Sequence, residues 1–424
     1  MPSNPSEQSP TSPSLPPRST RSVRGIAGVA LALGLVGLVG AGCAKEEPTA
    51  AGAGSVKVVL TDQGCEPSPS QVETGKRTFS VSNDGANGVS EAELRAENGQ
   101  SILGERENIS PGLSGTFTLN LAEGTYKIYC PGAKQDTWTF TVKGGEKVAD
   151  WHDNPALVTA VDGYADYVQT QTKDLVAKTQ AFADAVDSGD IDAAKQAYVA
   201  ARLPYERIEP VAESFGDLDP RIDGRLGDNG NAPDDFIGFH RIEKALWADE
   251  SLAGMRPIAA GLVTDVGKLQ KLVADKAKSY DPNEVTNGAL ELMNEVLTSK
   301  ISGEEERYSH IDLVDFQANF DGSMKTVDLL RPVLSKSAPD LLGKIDAAAK
   351  KVQAQLDELK ADPGYDGTGF VEWSCAPESE TGDLPEGCVV TETAKVTTAQ
   401  RRALTDAGKP LAALLAQVPV KVVR

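Results

Sequence analysis

Histidine is scarce in this chain of 424 residues, which contains only His152, His240 and His310. The zinc peptidase motif H-E-x-x-H needs two histidines on one helix, and that motif does not occur in the sequence. No Ser/His/Asp arrangement or glycine-rich phosphate loop is apparent either. The sequence therefore gives little support to hydrolytic chemistry, and each histidine is a candidate for another role.

Basic residues are too few to balance the acidic ones. Lys and Arg number 42, Asp and Glu number 62, and the formal net charge is −20 at pH 7. The phosphates of a nucleic acid would repel such a protein, so no nucleic acid is expected as a partner. Cations are the natural ligands of so acidic a chain.

A long hydrophobic segment is missing near the N-terminus. The apolar run at residues 26–39 is shorter than the roughly 20 residues of a membrane-spanning helix. Arginines precede the run and Ala-Gly-Cys follows it, which predicts an export signal over residues 1–42. Cys43 resembles the lipidated cysteine of a bacterial lipobox, so we expect a lipid anchor there and a tether over residues 43–54. A soluble secreted protein cut nearby is the alternative.

Cysteine is limited to five residues. If Cys43 carries lipid, four remain, and an even number in an oxidising compartment predicts two disulfides. Cys375 and Cys388 lie in a Pro/Gly-rich segment, and a bridge between them would stabilise the fold by roughly 3 kcal/mol. For Cys65 and Cys130, a disulfide and a metal site with thiolate and carboxylate ligands both stay open.

Residues 55–143 predict an all-β domain. Short segments rich in β-branched and aromatic residues alternate there with Gly, Pro, Asn and Asp, which indicates a β-sandwich. The segment GTYKIYCPG at 124–132 resembles the strand that supplies the cysteine ligand of cupredoxins. A blue-copper site also needs two histidines, and residues 55–147 contain neither histidine nor methionine. The domain is therefore predicted to be cupredoxin-like in fold but not a blue-copper carrier.

The remainder of the chain, residues 155–424, has a helical pattern that follows a linker at 144–154. Asn154 and Pro155 are typical of an N-cap and a first helical residue. Helices are predicted over residues 155–187, 191–214, 234–249, 254–279, 282–300, 306–331, 336–360 and 397–418. Together they predict one large all-α bundle.

The segment GFHRIEKALW at 238–247 carries the clearest chemical signal. His240 and Glu243 are three residues apart, so on a helix they share one face. Such pairs occur at the metal sites of helical bundles. A partly buried histidine beside a surface acid would have the same spacing.

Acidic residues are concentrated on both sides of this segment. They are Glu206, Glu209, Asp223, Glu304, Glu305 and Glu306. Glu206 and Glu209 are three residues apart within a predicted helix, so we expect them to share one helix face. Each group alone is typical of a solvated surface, but together with His240 they suit iron or manganese, and less selectively zinc or copper. No basic side chain is an obvious counter-ion for all of them, so we expect a bound cation to relieve their repulsion.

The segments YERIEP, GFHRIEKALW and GEEERYSHIDLVDFQANFDG resemble the EfeO family, which belongs with the imelysin (M75) proteins marked by H-x-x-E. ERENISPG at 105–112 resembles the cupredoxin-like domain of that family. The resemblance covers roughly residues 56–334 and leaves the region around Cys375 and Cys388 unmatched. It implies an extracytoplasmic iron-binding protein, not an enzyme, in an EfeUOB-type uptake system.

The resemblance also implies ligands and partners. The metal residues would be His240, Glu243, Glu206, Glu209, Asp223 and Glu305, with Glu304 and Glu306 as alternatives to Glu305. A second site would comprise Cys65, Glu66, Glu91, Glu105 and Cys130. The implied metal is iron, as Fe2+ or Fe3+, with copper or zinc as competitors. The implied partners are an EfeU-type permease, an EfeB-type haem peroxidase and, through the lipid, the membrane.

Two enzymatic alternatives accompany this interpretation. A metallopeptidase is suggested by the M75 label, although H-E-x-x-H is absent. A di-iron carboxylate enzyme would use two E-x-x-H motifs, whereas this chain has one E-x-x-E and one H-x-x-E.

Mass spectrometry of the protein purified from its native host should find residues 1–42 removed and Cys43 lipidated. The reason is the order of basic region, short apolar run and Ala-Gly-Cys. An unmodified chain that begins at another residue would contradict this prediction.

Overall fold

The structure is a computed structural model that describes residues 54–226, 236–276, 280–361, 368–373 and 395–423. It confirms the predicted fold class, because a strand-rich domain is followed by a helical one. The predicted export signal, Cys43, and the pair Cys375 and Cys388 lie outside the described residues.

The β domain consists of two sheets. The first contains β1 (Ser55–Leu60), β3 (Gly75–Asn83) and β6 (Ser114–Leu121), in the order β1-β3-β6. The second contains β2 (Gln71–Val72), β4 (Ala92–Arg95), β5 (Ile102–Arg106), β7 (Gly124–Tyr129) and β8 (Thr137–Val142), in the order β2-β8-β7-β4-β5. The β1–β3 and β2–β8 pairs are parallel, and the other pairs are antiparallel.

Alternating side chains bury one face of each sheet in a shared core. In β6, Phe117, Leu119 and Leu121 are buried while the residues between them are partly exposed. Phe117 stacks on Phe79 of β3 with ring centroids 4.7 Å apart, and Phe140 of β8 meets Phe79 edge-on at 5.4 Å. Because these rings come from both sheets, they hold the sheets face to face.

The helical domain forms one continuous apolar core. Its helices are α1 (Pro155–Ser188), α2 (Ile191–Glu206), α3 (Asp219–Ile222), α4 (Phe239–Trp247), α5 (Met255–Lys276), α6 (Pro282–Thr298), α7 (Asp312–Ser337), α8 (Pro339–Glu358), α9 (Thr398–Leu415) and α10 (Pro419–Val422). α1 begins where the sequence predicts, because the Asn154 side chain accepts hydrogen bonds from the backbone N–H groups of Ala156 and Leu157.

Two segments that the sequence predicts as helix are not α-helical, and both carry candidate ligands. α2 ends at Glu206 rather than at residue 214, and a 3-10 helix over Glu209–Leu218 follows, with Pro210 in its first turn. Pro210 has no backbone N–H to continue the α2 hydrogen-bond pattern. Similarly, α7 begins at Asp312 rather than at residue 306, so residues 303–311 lie in an irregular loop. The prediction that Glu206 and Glu209 share one helix face is therefore wrong.

Glycines in α6 and α7 allow both helices to contact the backbone between α2 and the 3-10 helix. A Cβ on Gly288 would lie 1.7 Å from the carbonyl oxygen of Pro210, and a Cβ on Gly322 would lie 2.3 Å from that of Arg207. Real Cβ atoms cannot approach so closely. The two helices therefore hold the turn between Glu206 and Glu209 in place.

The helical domain covers β5, which is an edge strand of its sheet. The Asn287 side chain donates to the carbonyl oxygen of Leu103 at 2.9 Å, and Arg106 pairs with Glu291 at 2.6 Å. Pairing of exposed polar groups along an edge strand is one way that proteins prevent edge-to-edge aggregation. Within the described ranges, no helix combines the length and the apolar character needed to cross a bilayer.

Replacing Gly288 by Ala should destabilise the protein by about 1–3 kcal/mol, because the new methyl group must displace backbone atoms. Gly343→Ala in α8 is the matched control, since a Cβ there would meet nothing among the described residues within 4 Å. The control should be neutral or stabilise by up to about 1 kcal/mol. Denaturant unfolding measures both changes, and equal stabilities for the two variants would contradict the prediction.

Candidate metal centre

His240 and Glu243 lie side by side on α4, as their spacing predicts. His240 Nδ1 is 2.8 Å from one oxygen of Glu243, and both side chains are essentially inaccessible to solvent. The other Glu243 oxygen accepts hydrogen bonds from the backbone N–H groups of Tyr308 and Ser309, each at 2.8 Å. Glu243 is thus fully engaged and orients the imidazole ring, as carboxylates do behind metal-binding histidines.

The opposite ring nitrogen, His240 Nε2, faces the acids that the sequence singled out. It lies 3.4 Å from Asp223 Oδ1 and 3.7 Å from Glu305 Oε1. Nε2 is buried and has no hydrogen-bond partner among the described residues. One nitrogen and two carboxylate oxygens, all within 4.8 Å of one another, form a donor set that could hold a transition-metal ion.

Glu206 and Glu209 lie beside this donor set rather than in it. Together with Glu305 they form a second group of three carboxylates whose oxygens are within 4.8 Å of one another. Asn319 donates to Glu206 at 2.9 Å and to Glu209 at 2.6 Å, which fixes both carboxylates. The predicted ligands thus fall into two adjoining groups that share Glu305, and a third group on the other side of the His240 ring comprises His240, Glu243 and Glu306.

The consecutive acids at 304–306 take three different positions, although the sequence could not distinguish them. Glu305 is buried and faces His240. Glu306 is also buried, but it accepts hydrogen bonds from Tyr198 at 3.0 Å and from Ser309. Glu304 is partly exposed and lies 3.7 Å from Arg225. Of the three, Glu305 is the one that faces His240 Nε2, while Glu306 is grouped with His240 and Glu243.

Basic side chains counterbalance these acids, contrary to the expectation from sequence. Arg202 is fully buried and contacts Glu206 and Asp223, and it lies 3.5 Å from Glu305. Lys300 is also fully buried and contacts Glu209. The expectation that no counter-ion would be present is therefore wrong. The i, i+4 spacing of Arg202 and Glu206 was the one sequence signal for it; Lys300 is distant in sequence from its partners.

The buried charges shift one another's pKa values. Burial opposes ionisation of Glu305, but Arg225, Lys300 and His240 outweigh it and hold the pKa of Glu305 well below its usual range. Burial likewise disfavours the charged form of His240, yet the hydrogen bond to Glu243 and the nearby carboxylate of Glu305 raise its pKa to about 9. At neutral pH the centre without a metal therefore contains ionised Glu305 and protonated His240.

In the second candidate site, in the β domain, the residues that the structure brings together differ from the predicted ones. Cys65 and Cys130 form a disulfide, so neither is a free thiolate that could hold a metal. Glu66 is exposed and lies outside the acidic group that the structure assembles from Glu91, Glu93 and Glu105. The thiolate ligands proposed for this site are therefore wrong. Glu93, which the resemblance did not include, pairs with Arg95 at 2.9 Å.

A cavity of about 320 Å³ lies between the two domains and separates these two acidic regions. Glu91 and Glu105 of the β domain line it, together with Asp223 and Glu305 of the helical domain. Glu213 projects from the helical domain into the same cavity, where burial and the nearby Asp219 raise its pKa to about 8. The candidate metal centre thus adjoins an acidic cavity.

Comparisons with known proteins agree with both domains. A family model described as imelysin matches residues 160–418, and one described as a cupredoxin-like domain matches residues 30–140. The iron uptake system component EfeO of Escherichia coli (strain K12) is 44% identical over 322 residues, which cover 75% of this chain and 84% of that protein. EfeO of Shigella flexneri gives the same values.

One solved structure also resembles the chain. It is a putative iron-regulated protein A precursor from Parabacteroides distasonis, with a TM-score of 0.46 and 15% identity, and the match covers 63% of this chain and 95% of that one. The identity to EfeO across most of both chains, with the imelysin match over the helical domain, shows that this chain belongs to the EfeO family of imelysin (M75) proteins with a cupredoxin-like domain.

Proposed function

We propose that this protein binds iron outside the cytoplasm as a component of an iron uptake system, with Asp223, His240 and Glu305 as ligands. The observation that carries the proposal is the position of His240 Nε2. It is a buried nitrogen without a hydrogen-bond partner among the described residues, and it faces two carboxylates at 3.4 and 3.7 Å. The EfeO relatives are named as iron uptake system components.

The donor set suits an ion that is bound and later released. Carboxylate oxygens and one imidazole accept Fe2+ and Fe3+, while copper and zinc are plausible competitors for the same atoms. Glu243 and its backbone donors hold the imidazole in position before any metal arrives. Asp223 is the C-cap of the short helix α3, and Glu305 lies in the irregular loop before α7, so neither carboxylate is held within a helix.

The enzymatic alternatives receive less support from the same atoms. A zincin-type peptidase places two imidazoles on its metal. In the candidate groups of the described residues, His240 is the one nitrogen donor, and the remaining donors are carboxylates. Metal capture needs no second imidazole and no general base.

Delivery is the second half of the proposed function. We infer that Cys43 anchors the protein by lipid to the outer face of the membrane, and that iron passes to an EfeU-type permease with an EfeB-type haem peroxidase as a further partner. The export signal and the lipobox-like cysteine support the location, and the names of the relatives support the system. The acidic cavity beside the centre would favour a cation along its way in or out.

Replacing His240 by Ala should weaken Fe2+ binding by well over tenfold, which corresponds to more than about 1.4 kcal/mol. The substitution removes the only nitrogen donor of the set. Anaerobic calorimetry measures the affinity, and circular dichroism checks that the variant is folded. The matched control is His152→Ala, because the His152 side chain is 65% exposed and pairs with Asp150 at the domain linker. Unchanged affinity in folded His240→Ala protein would refute the proposed ligand.

Metal affinity should rise with pH up to about 9, because His240 must lose a proton before Nε2 can bind a metal. Below that pKa, affinity should fall by about tenfold for each pH unit. Mn2+ titrations at several pH values, in buffers of different ionisation enthalpy, count the protons released on binding. His240→Gln should release about one proton fewer than the wild type. Equal proton release in both proteins would mean that His240 does not lose a proton when the metal binds.

A further inference from the structure

Two adjoining groups of possible metal ligands share Glu305. In a dinuclear metal site, two ions likewise share a carboxylate ligand. The first group is the proposed iron position, at Asp223, His240 and Glu305. The second comprises Glu206, Glu209 and Glu305. Carboxylate-rich helical bundles place two metal ions on shared acids in this manner, and such pairs of ions carry out chemistry that a single ion does not.

A cation already occupies the second group. The Lys300 Nζ atom contacts Glu209, lies 3.4 Å from Glu305 Oε2 and lies 3.7 Å from Glu206 Oε2. The Lys300 side chain is fully buried, and its ammonium is surrounded by the same three carboxylates that a metal ion would need. The ammonium therefore supplies the positive charge of an ion in that position.

We propose that Lys300 determines how many metal ions this centre binds and how tightly it holds the first, and that it keeps the centre mononuclear. Its tethered ammonium fills the second cation position and excludes a second metal ion. The inference rests on the proposed function, because it takes the His240 position as the place where the first ion binds.

Glu305 connects the two positions through its two oxygens. Oε1 faces His240 Nε2, whereas Oε2 faces Lys300 at 3.4 Å and Arg225 at 2.6 Å. An ion bound at His240 must therefore share Glu305 with Lys300. That sharing weakens the hold of Glu305 on the metal, which favours release. A single exchangeable ion suits transport, whereas a pair of ions would suit the di-iron chemistry of the alternative interpretation.

Arg202 does not take the role that we assign to Lys300. Its guanidinium contacts Glu206 and Asp223 and lies 3.1 Å from Glu306 and 3.7 Å from Asp315. It therefore borders both positions and also neutralises acids outside them. By contrast, the ion pairs that Lys300 makes with described residues are all to carboxylates of the second group.

The test is the number of Mn2+ ions bound by the full chain without its lipid, measured by anaerobic equilibrium dialysis and elemental analysis. Lys300→Met should bind one ion more than the wild type, because Met has a similar length and no charge. Lys300→Arg should match the wild type, since the positive charge returns. Lys268→Met is the control for a general loss of charge: Lys268 is 56% exposed and pairs with Asp265 at 2.7 Å on the surface of α5.

Lys300→Met leaves three buried carboxylates without their ammonium, so the variant could need metal in order to fold. Refolding in Mn2+ would then yield protein with the additional ion, which supports the proposal. If the single variant does not fold even with Mn2+, the double variant Lys300→Met/Glu209→Gln replaces it. The double variant keeps the net charge of the group and three oxygen donors, and it should also bind one ion more than Glu209→Gln alone.

The outcomes separate this inference from the proposed function. Equal stoichiometry in the wild type, Lys300→Met and the double variant would overturn the role of Lys300, even if His240→Ala still lost the first ion. If the wild type bound no ion that depends on His240, the proposed function itself would fail. An additional ion in Lys268→Met as well would attribute the gain to net charge and would likewise overturn the role of Lys300.

Discussion

The buried carboxylate of Glu305 lies among four cationic or potentially cationic side chains, and the arrangement of the centre depends on these contacts. His240 and Arg202 face one of its oxygens, while Arg225 and Lys300 face the other. Removing a carboxylate from water costs several kcal/mol unless partners compensate for the lost solvation. The fold supplies those partners from α2, from the loop after α3, from α4 and from the 3-10 helix Lys300–Ser302. A substitution on either side would change the balance of buried charge around Glu305.

These internal ion pairs change how metal binding should be understood. In the absence of a metal, Arg202 and Lys300 offset much of the repulsion among the acids. The ligands are therefore held in place before a metal arrives, which lowers the cost of organising them. The same pairs compete with the metal for Asp223 and Glu305. Under the proposed function, binding becomes an exchange between cations, and such an exchange can be reversed.

The irregular segments are what bring the ligands together. A straight α2 that continued past Glu206 would have carried Glu209 along the helix axis, whereas the break before Pro210 turns it towards Lys300. The irregular loop before α7 carries Glu305 to within 3.7 Å of His240 Nε2. Gly288 and Gly322 allow α6 and α7 to support that turn at backbone distance. The regular helices form the bundle, and the irregular segments between them carry several side chains of the candidate metal centre.

Local sequence patterns were sufficient to predict the two-domain fold class, the helical setting of His240 and Glu243, and the family. These follow from local periodicity and from motifs that lie within short segments. Periodicity could not reveal that Glu206 and Glu209 lie in two separate helices. Nor could it show which of Glu304, Glu305 and Glu306 faces His240. It also could not show that Cys65 and Cys130 would bond to each other rather than to a metal. Lys300 is about ninety residues beyond Glu209 in the sequence, and it is the packing of the folded chain that brings it among the carboxylates of the second group. Buried charges select their partners by distance in space, and the spacing of residues along a chain does not specify that distance.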